Sequence, residues 1–267
     1  MGKIILQNVS FAYDSRNDGS HVIRNINLTV KEGEFVSIIG PSGCGKSTLL
    51  TLLAGLKFPS GGQLLLDGKE ISGTGVDRGI VFQHYSLFPW MTARKNITFG
   101  IRQVNRHKSK KEIESIADEY LDLVGLKDVA RKYPAQLSGG MQQRVAIARA
   151  FAMNPGILLM DEPFSAVDAK NRLALQELLL KLWDAGSVKK TVVFITHDID
   201  EAIVLSDRII VMSAETGAVR KEVPVNIARP RDRASLVKSP AHAELRNTLV
   251  SLLYDELVQQ SALSAAL

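Results

Sequence analysis

The segment Gly40–Leu50 reads GPSGCGKSTLL: three glycines, a proline, a cysteine and a lysine stand directly before an apolar run. Gly40, Gly45, Lys46 and Ser47 match the spacing G-x-x-x-x-G-K-[ST], with the β-rich run FVSIIG before them and the helix-like STLLTLLAGL after them. Glycines let backbone N–H groups turn inward and approach a phosphate closely. A helix that starts there points its positive end at the same anion. Pro41, Ser42, Gly43 and Cys44 complete the cradle. Lys46 is expected to reach the β- and γ-phosphates, Ser47 to offer its hydroxyl to Mg²⁺, and Thr48 to meet the α-phosphate. Such a loop serves small-molecule kinases and GTPases as well, so it sets a ligand class and leaves the reaction open.

Further along, ILLMDEP puts Asp161 at the end of an apolar strand, where it can hold Mg²⁺ through water. Glu162 beside it can polarise a water for attack on a γ-phosphate. Between these two motifs lies LSGGMQQRVAIARA, Leu137 to Ala150. Ser138, Gly139 and Gly140 precede a helical pattern and form a second candidate N-terminal anion site.

With that signature the chain resembles the ATP-binding cassette (ABC) family over residues 1 to 215. The resemblance implies a P-loop α/β fold: a mainly parallel core sheet, an antiparallel β subdomain and an inserted helical subdomain. It implies ATP and Mg²⁺ as ligands. Ser138, Gly139 and Gly140 would cap the nucleotide of a second subunit, so that two copies pack head to tail around two ATP molecules. Tyr13 in FAYD resembles the aromatic that stacks on adenine, and Gln83 the glutamine that touches Mg²⁺ and the attacking water. Asp168 in SAVDA resembles the aspartate of the loop after the Asp-Glu strand, and His197 in FITHD the histidine that contacts the γ-phosphate. Met141 stands where the family often has Gln, and Val167 where it usually has Leu.

Two classes of such ATPase remain: the motor subunit of a membrane importer, and a soluble cassette such as those of iron–sulfur assembly. The run Leu87, Phe88, Pro89, Trp90, Met91 favours the importer. An apolar run on a polar loop is an expected docking patch, and it resembles the part of importer ATPases that receives a helix of the permease. An extracytoplasmic solute-binding protein is then an indirect partner, and the cytoplasmic face of the membrane the expected location. The tail RPRDRASLVKSPAHAELRNTLVSLLYDEL resembles that of the nitrate, sulfonate and taurine importer group, so a small anion is the expected solute. No nucleic acid partner is expected, since no dense Lys/Arg run interleaves with aromatics.

The elements that must position these residues can be read from pattern. KIILQNVSFAY and NINLTVKEGEFVSIIG hold strands, the latter two around Lys31-Glu32-Gly33, and SGGQLLLDGKEI forms a hairpin with an Asp67-Gly68 turn. GILLMDEP, TVVFITHD and RIIVMS supply further buried strands, and AKNRLALQELLLKLWDAG a helix. In between, Ile113, Ile116, Tyr120, Leu121 and Val124 share one helical face. Strands alternating with helices predict the parallel sheet. The expected division is an ATPase domain over 1–224, with a helical insertion over about 95–150, and a tail over 225–267. The tail is read as a basic linker followed by an amphipathic helix whose apolar side is Leu245, Leu249, Leu252 and Leu253.

The 267 residues are 45% apolar but only 6% aromatic, so the core must be mostly aliphatic. Net charge is +5, suited to a phosphate site or an anionic surface. No secretory leader is expected at the N-terminus, and no run of 18 apolar residues occurs. Cys44 is the single cysteine, so no intrachain disulfide can form. Its position before Gly45 and Lys46 predicts a lowered thiol pKa and access to small reagents.

Overall fold

The computed structural model describes residues 2–13, 21–83, 86–165, 167–185, 189–213 and 215–265, the last eleven of these by backbone alone. In chain order the elements are β1 (Gly2–Ala12), β2 (His21–Lys31), β3 (Phe35–Ile39), α1 (Lys46–Leu53), β4 (Gly61–Leu66), β5 (Lys69–Glu70) and β6 (Arg78–Val81). Next come α2 (Ala93–Val104), α3 (Lys110–Leu123), α4 (Gly139–Ala152), β7 (Ile157–Asp161), α5 (Ala169–Asp184) and β8 (Thr191–Ile195). The chain closes with α6 (Ile199–Leu205), β9 (Arg208–Met212), β10 (Val219–Pro224), α7 (Arg233–Leu236) and α8 (Pro240–Ala265). Two compact units result, residues 1–74 with 191–267, and residues 75–190.

The first unit holds an antiparallel sheet ordered β2-β1-β4-β5. Its tight turn is Asp67-Gly68, both at positive φ (49° and 76°), the pairing that matches strand twist in a two-residue hairpin. In the same unit β3 runs parallel to both β8 and β9, and β10 pairs antiparallel with β9. All five residues of β3 and of β8 are buried, which explains their unbroken apolar sequence. α1 ends on Gly55, where the Gly55 and Leu56 N–H groups donate back to the carbonyls of Leu52 and Thr51. Gly55 has φ 72°, and a Cβ there would meet the Gly73 carbonyl oxygen at 2.0 Å.

The tail is pinned to this unit. Arg231 donates to the carbonyls of Ile203, Val204 and Ser206, the last of which leave the end of α6 without helical partners. Burial, and then the nearby Arg229, push its pKa down to about 10. The α8 stripe expected from sequence packs inward: Leu249 is fully buried, with Leu245, Leu252 and Leu253 against Ile203, Ile209 and Val211.

In the second unit β6 and β7 are parallel neighbours. α2 packs on α3 and α4, and α4 also on β6 and α5. Ile113, Leu121 and Val124 are buried as the helical period predicts, while Ile116 and Tyr120 are half-buried and Ala117 is fully buried between them. Gly100 permits the close approach of α2 to α4, since a Cβ there would lie 2.9 Å from Arg149 Cγ. Strands β6 and β10 and helix α6 escaped the sequence reading, as did α7, which lies within the stretch expected to be an extended linker. β10 (VRKEVP) is charged and has a single buried residue, and β6 is only four residues long.

Candidate functional site

The first unit carries the glycine-rich loop, Tyr13 and His197. Residues Gly40 to Gly45 leave the C-terminal end of β3 and enter α1. Gly43 and Gly45 adopt left-handed backbone (φ 83° and 96°), open to glycine at no steric cost. At Gly40 space decides: a Cβ would sit 2.7 Å from the Met212 carbonyl oxygen and 2.9 Å from Cys44 Sγ. Helices α2 to α7 each begin on a capping side chain: Thr92, Ser109, Ser138, Asp168, Asp198 and Asp232. α1 does not. Its cap is Gly45, and its first turn holds no acidic residue. The positive end of α1 is thus met by no capping side chain and no carboxylate of its own first turn, a helix start that suits an anion.

Lys46 is buried at the start of α1. Its Nζ donates to the carbonyls of Gly40 and Pro41, each at 2.8 Å, and lies 3.8 Å from Cys44 Sγ. The loop is thereby closed on its own ammonium. Ser47 is exposed and Thr48 half-buried. Ser42 and Gly43 form the exposed apex.

Cys44 overturns its sequence expectation. The thiol is 1% exposed and turned inward. Burial pushes its pKa up, and Lys46 opposes this without reversing it. The charged neighbours were read correctly; the desolvation was not visible from spacing.

Tyr13 lies just past β1 and is exposed, with its Oη 3.3 Å from Thr48 Oγ1. Lys57 Nζ stands 3.9 Å from its ring centroid, and the Phe11 ring meets it edge-on at 5.0 Å. The hydrogen bond to Thr48, then Lys57, pushes the phenol pKa down. Sequence reasoning missed Lys57, whose only signal is a lysine just beyond the end of α1. His197 is exposed between β8 and α6. Since Ile38 pairs in register with Ile195, the glycine-rich loop and the His197 turn leave the same carboxyl edge of the sheet. That edge is where open α/β sheets bind ligands.

The second unit carries the acidic and signature residues. Asp161 ends β7, half-buried after four buried residues. Glu162 follows at φ 41°, a left-handed conformation that costs a non-glycine residue about 1 kcal/mol or more. The turn is held by its carbonyl, which accepts from Ser165 N at 3.2 Å and Ser165 Oγ at 3.0 Å. Val81 pairs with Met160, so Gln83, two residues on and exposed, leaves the same edge as Asp161 and Glu162.

Ser138 Oγ accepts from Met141 N and caps α4. Gly139 and Gly140 form the first turn of that helix, where sequence reasoning had them preceding it. A Cβ on Gly140 would touch Val167 at 3.8 Å and Asn171 at 3.9 Å, so the signature begins against the start of α5. Asp168 caps α5 through Asn171, accepting from its N at 3.1 Å and its Nδ2 at 2.7 Å. These donors hold its carboxyl below the usual range.

The segment around Phe88 is organised by a residue the sequence reading missed. Asn96, fully buried, accepts from Phe88 N at 2.8 Å and donates to the carbonyls of Phe88, Met91 and Thr92. Phe88 is half-buried, its ring 4.7 Å from Phe99 and 5.6 Å from Trp90. Pro89 is exposed, and Trp90 is 67% exposed.

No cluster of three or more His, Cys, Asp or Glu that could hold a metal occurs among the described residues. Ser47, Gln83 and Asp161 offer a hydroxyl, an amide and one carboxylate. Each is a hard oxygen donor of the kind Mg²⁺ takes, the hydroxyl belonging to the first unit and the amide and carboxylate to the second. Among the described residues no helix is long and apolar enough to cross a membrane.

A family model described as ABC transporter matches residues 23–165. The chain is 46% identical over 253 residues to the bicarbonate transport ATP-binding protein CmpD of Synechococcus elongatus, covering 94% of this chain and 90% of that protein. It is 42% identical over 255 residues to the nitrate import ATP-binding protein NrtC of the same organism, covering 95% of this chain and 38% of that protein. Among solved structures, a dimeric ATP-binding cassette in a post-hydrolysis state with ADP and Pi is 38% identical with a TM-score of 0.75, over 84% of this chain and 100% of that one.

Proposed function

This chain belongs to the ABC transporter family, and from that premise we propose that it is the ATP-hydrolysing subunit of an importer for a small oxyanion. It is an ATPase with an ABC-type P-loop fold. The observation that carries the reading is the start of α1 at Gly45, the one helix among α1 to α7 without a capping side chain, directly after the glycine-rich loop.

In this reading the Gly40–Thr48 loop grips the phosphates by its backbone N–H groups. Lys46 exchanges the carbonyls of Gly40 and Pro41 for β- and γ-phosphate oxygens. Tyr13 stacks on the adenine. Mg²⁺, when bound, neutralises charge on the phosphates, and Ser47, Asp161 and Gln83 are the residues that would hold it. Glu162 takes a proton from the attacking water as the water oxygen bonds to the γ-phosphorus and the bond from that phosphorus to the bridging oxygen breaks, releasing ADP, and His197 donates to the γ-phosphate. Ser138, Gly139 and Gly140 serve the nucleotide of a second copy, packed head to tail, with Asp168 at the same junction. A separate permease docks at Trp90 and Pro89, placing the chain at the cytoplasmic face of a membrane, and an extracytoplasmic binding protein delivers the solute. The bicarbonate and nitrate relatives support a small oxyanion as that solute.

The test is ATP turnover by Lys46→Ala. The loop then lacks its charge, and hydrolysis should fall by at least about 100-fold, the scale of one lost charged group at a phosphoryl-transfer site. Turnover at the wild-type rate would remove the assignment.

A further inference from the structure

The positive charge of the chain is unevenly placed. No Asp or Glu occurs from Arg78 to Lys111, a stretch with eight Lys and Arg, whereas the whole chain carries a net charge of only +5. The remainder is therefore net negative. The structure gathers half of those eight at the corner between α2 and α3. Arg102, Asn105, Arg106, Lys108, Lys110 and Ile113 line an open groove of about 390 Å³, and no carboxylate is among them. Arg102, Arg106 and Lys110 are exposed, and Lys108 is half-buried. Elsewhere in the stretch Arg78 has Asp77 and Arg94 has Asp118, but the four cations of the groove form no ion pair among the described residues. Glu112, the first acid beyond the stretch, is turned to Ser109. Its carboxylate accepts from Ser109 N at 2.7 Å, and the Ser109 hydrogen bonds, then Lys108 and His107, hold its pKa down. Four cations converging on one groove repel one another, which a row of external anions relieves. Aromatic surface leads into the groove: Phe99, 37% exposed, precedes Arg102 by one turn on the same face of α2, and its ring packs on Phe88 beside Trp90.

We propose that this groove binds the headgroups of anionic phospholipids and holds the second unit against the membrane surface. The inference rests on the importer reading for the direction in which this face turns, since Trp90 and Pro89 are the residues proposed to meet the permease. Headgroup phosphate oxygens take the planar forks of Arg102 and Arg106, and Lys108 and Lys110 act as point charges beside them. A cluster of about four to eight Lys and Arg is the size of patch that an anionic leaflet holds, each cation adding about fivefold to binding. No helix among the described residues can cross a membrane, so the chain meets a bilayer through its surface alone.

Co-sedimentation of the full chain with lipid vesicles tests this with no permease present. Vesicles of phosphatidylcholine and phosphatidylglycerol in equal parts should carry the chain down at low salt, and pure phosphatidylcholine should not. Added salt should release it, because screening shortens the reach of each charge. Combining Arg102→Gln, Arg106→Gln, Lys108→Gln and Lys110→Gln should weaken binding by about 100-fold or more. That variant should keep the wild-type melting temperature, since its four cations have no ion pair to lose. Combining Lys69→Gln, Lys181→Gln, Lys221→Gln and Lys238→Gln, all exposed and outside the groove, lowers the net charge equally and should keep most of the binding. The proposal is overturned if the wild type ignores anionic vesicles at low salt, if the groove variant binds as the wild type does, or if both variants lose binding alike. A wild type that recovers the permease in a pull-down but ignores anionic vesicles would leave the importer reading standing and overturn this one alone.

Discussion

The ammonium of Lys57 stands 3.9 Å from the centroid of the Tyr13 ring. The two come from opposite sides of the glycine-rich loop in sequence, and the ring is also tied to α1 through Thr48. Lys57 thus orients the aromatic face proposed to receive adenine. Exposed cation–π pairs are worth about 0.5–1 kcal/mol, so Lys57→Ala should weaken ATP binding by roughly 2- to 5-fold. A fluorescent-nucleotide competition assay reads this directly. Unchanged affinity in Lys57→Ala, with Tyr13→Ala impaired, would show that the ring orients itself.

Glu162 offers a prediction in which stability and activity part company. Its left-handed backbone at φ 41° disfavours every side chain. Glu162→Gly should therefore retain or raise the melting temperature, while hydrolysis is lost. Glu162→Gln, isosteric and unable to accept the proton, should bind ATP normally and also fail to turn over. Wild-type turnover in either variant would end the case for Glu162 as the base.

Cys44 should be inert in the folded protein. Its thiol is buried, and the pKa is raised, so the thiolate fraction falls below that of an ordinary cysteine at any given pH. Mass spectrometry after maleimide treatment at neutral pH should find no adduct on the native chain and one adduct after denaturation. Rapid native labelling would mean that the loop opens far more than the structure shows.

Phe88 and Trp90 should separate into an anchor and a contact. Trp90→Ser leaves the fold untouched, because two thirds of the residue is already exposed, and should abolish permease recovery in a pull-down. Phe88→Ser removes a ring packed on Phe99 and Trp90, and should lower the melting temperature as well. Asn96→Ala would release four hydrogen bonds at once and cost about 1–3 kcal/mol, leaving buried backbone groups unpaired. If Trp90→Ser recovers the permease at wild-type yield, docking lies elsewhere.

What the sequence by itself determined were the features that rest on neighbours in the chain. Gly40 to Ser47 had to form a phosphate-sized turn between a strand and a helix, because the glycines, the lysine and the flanking periodicities are all local. The Asp67-Gly68 hairpin and the inward stripe of α8 were legible for the same reason. The family resemblance followed from motifs of this local kind. The tertiary structure alone decided which of the two influences on Cys44 prevails. The nearby charge is written in the sequence, but burial depends on what folds over the thiol. It also decided that Lys57 reaches Tyr13, that Asn96 holds the Phe88 segment, and that Arg231 closes the end of α6. Each is a contact between groups from separate elements. Desolvation and hydrogen-bond satisfaction belong to such three-dimensional neighbourhoods, and residue type and spacing along the chain do not specify them.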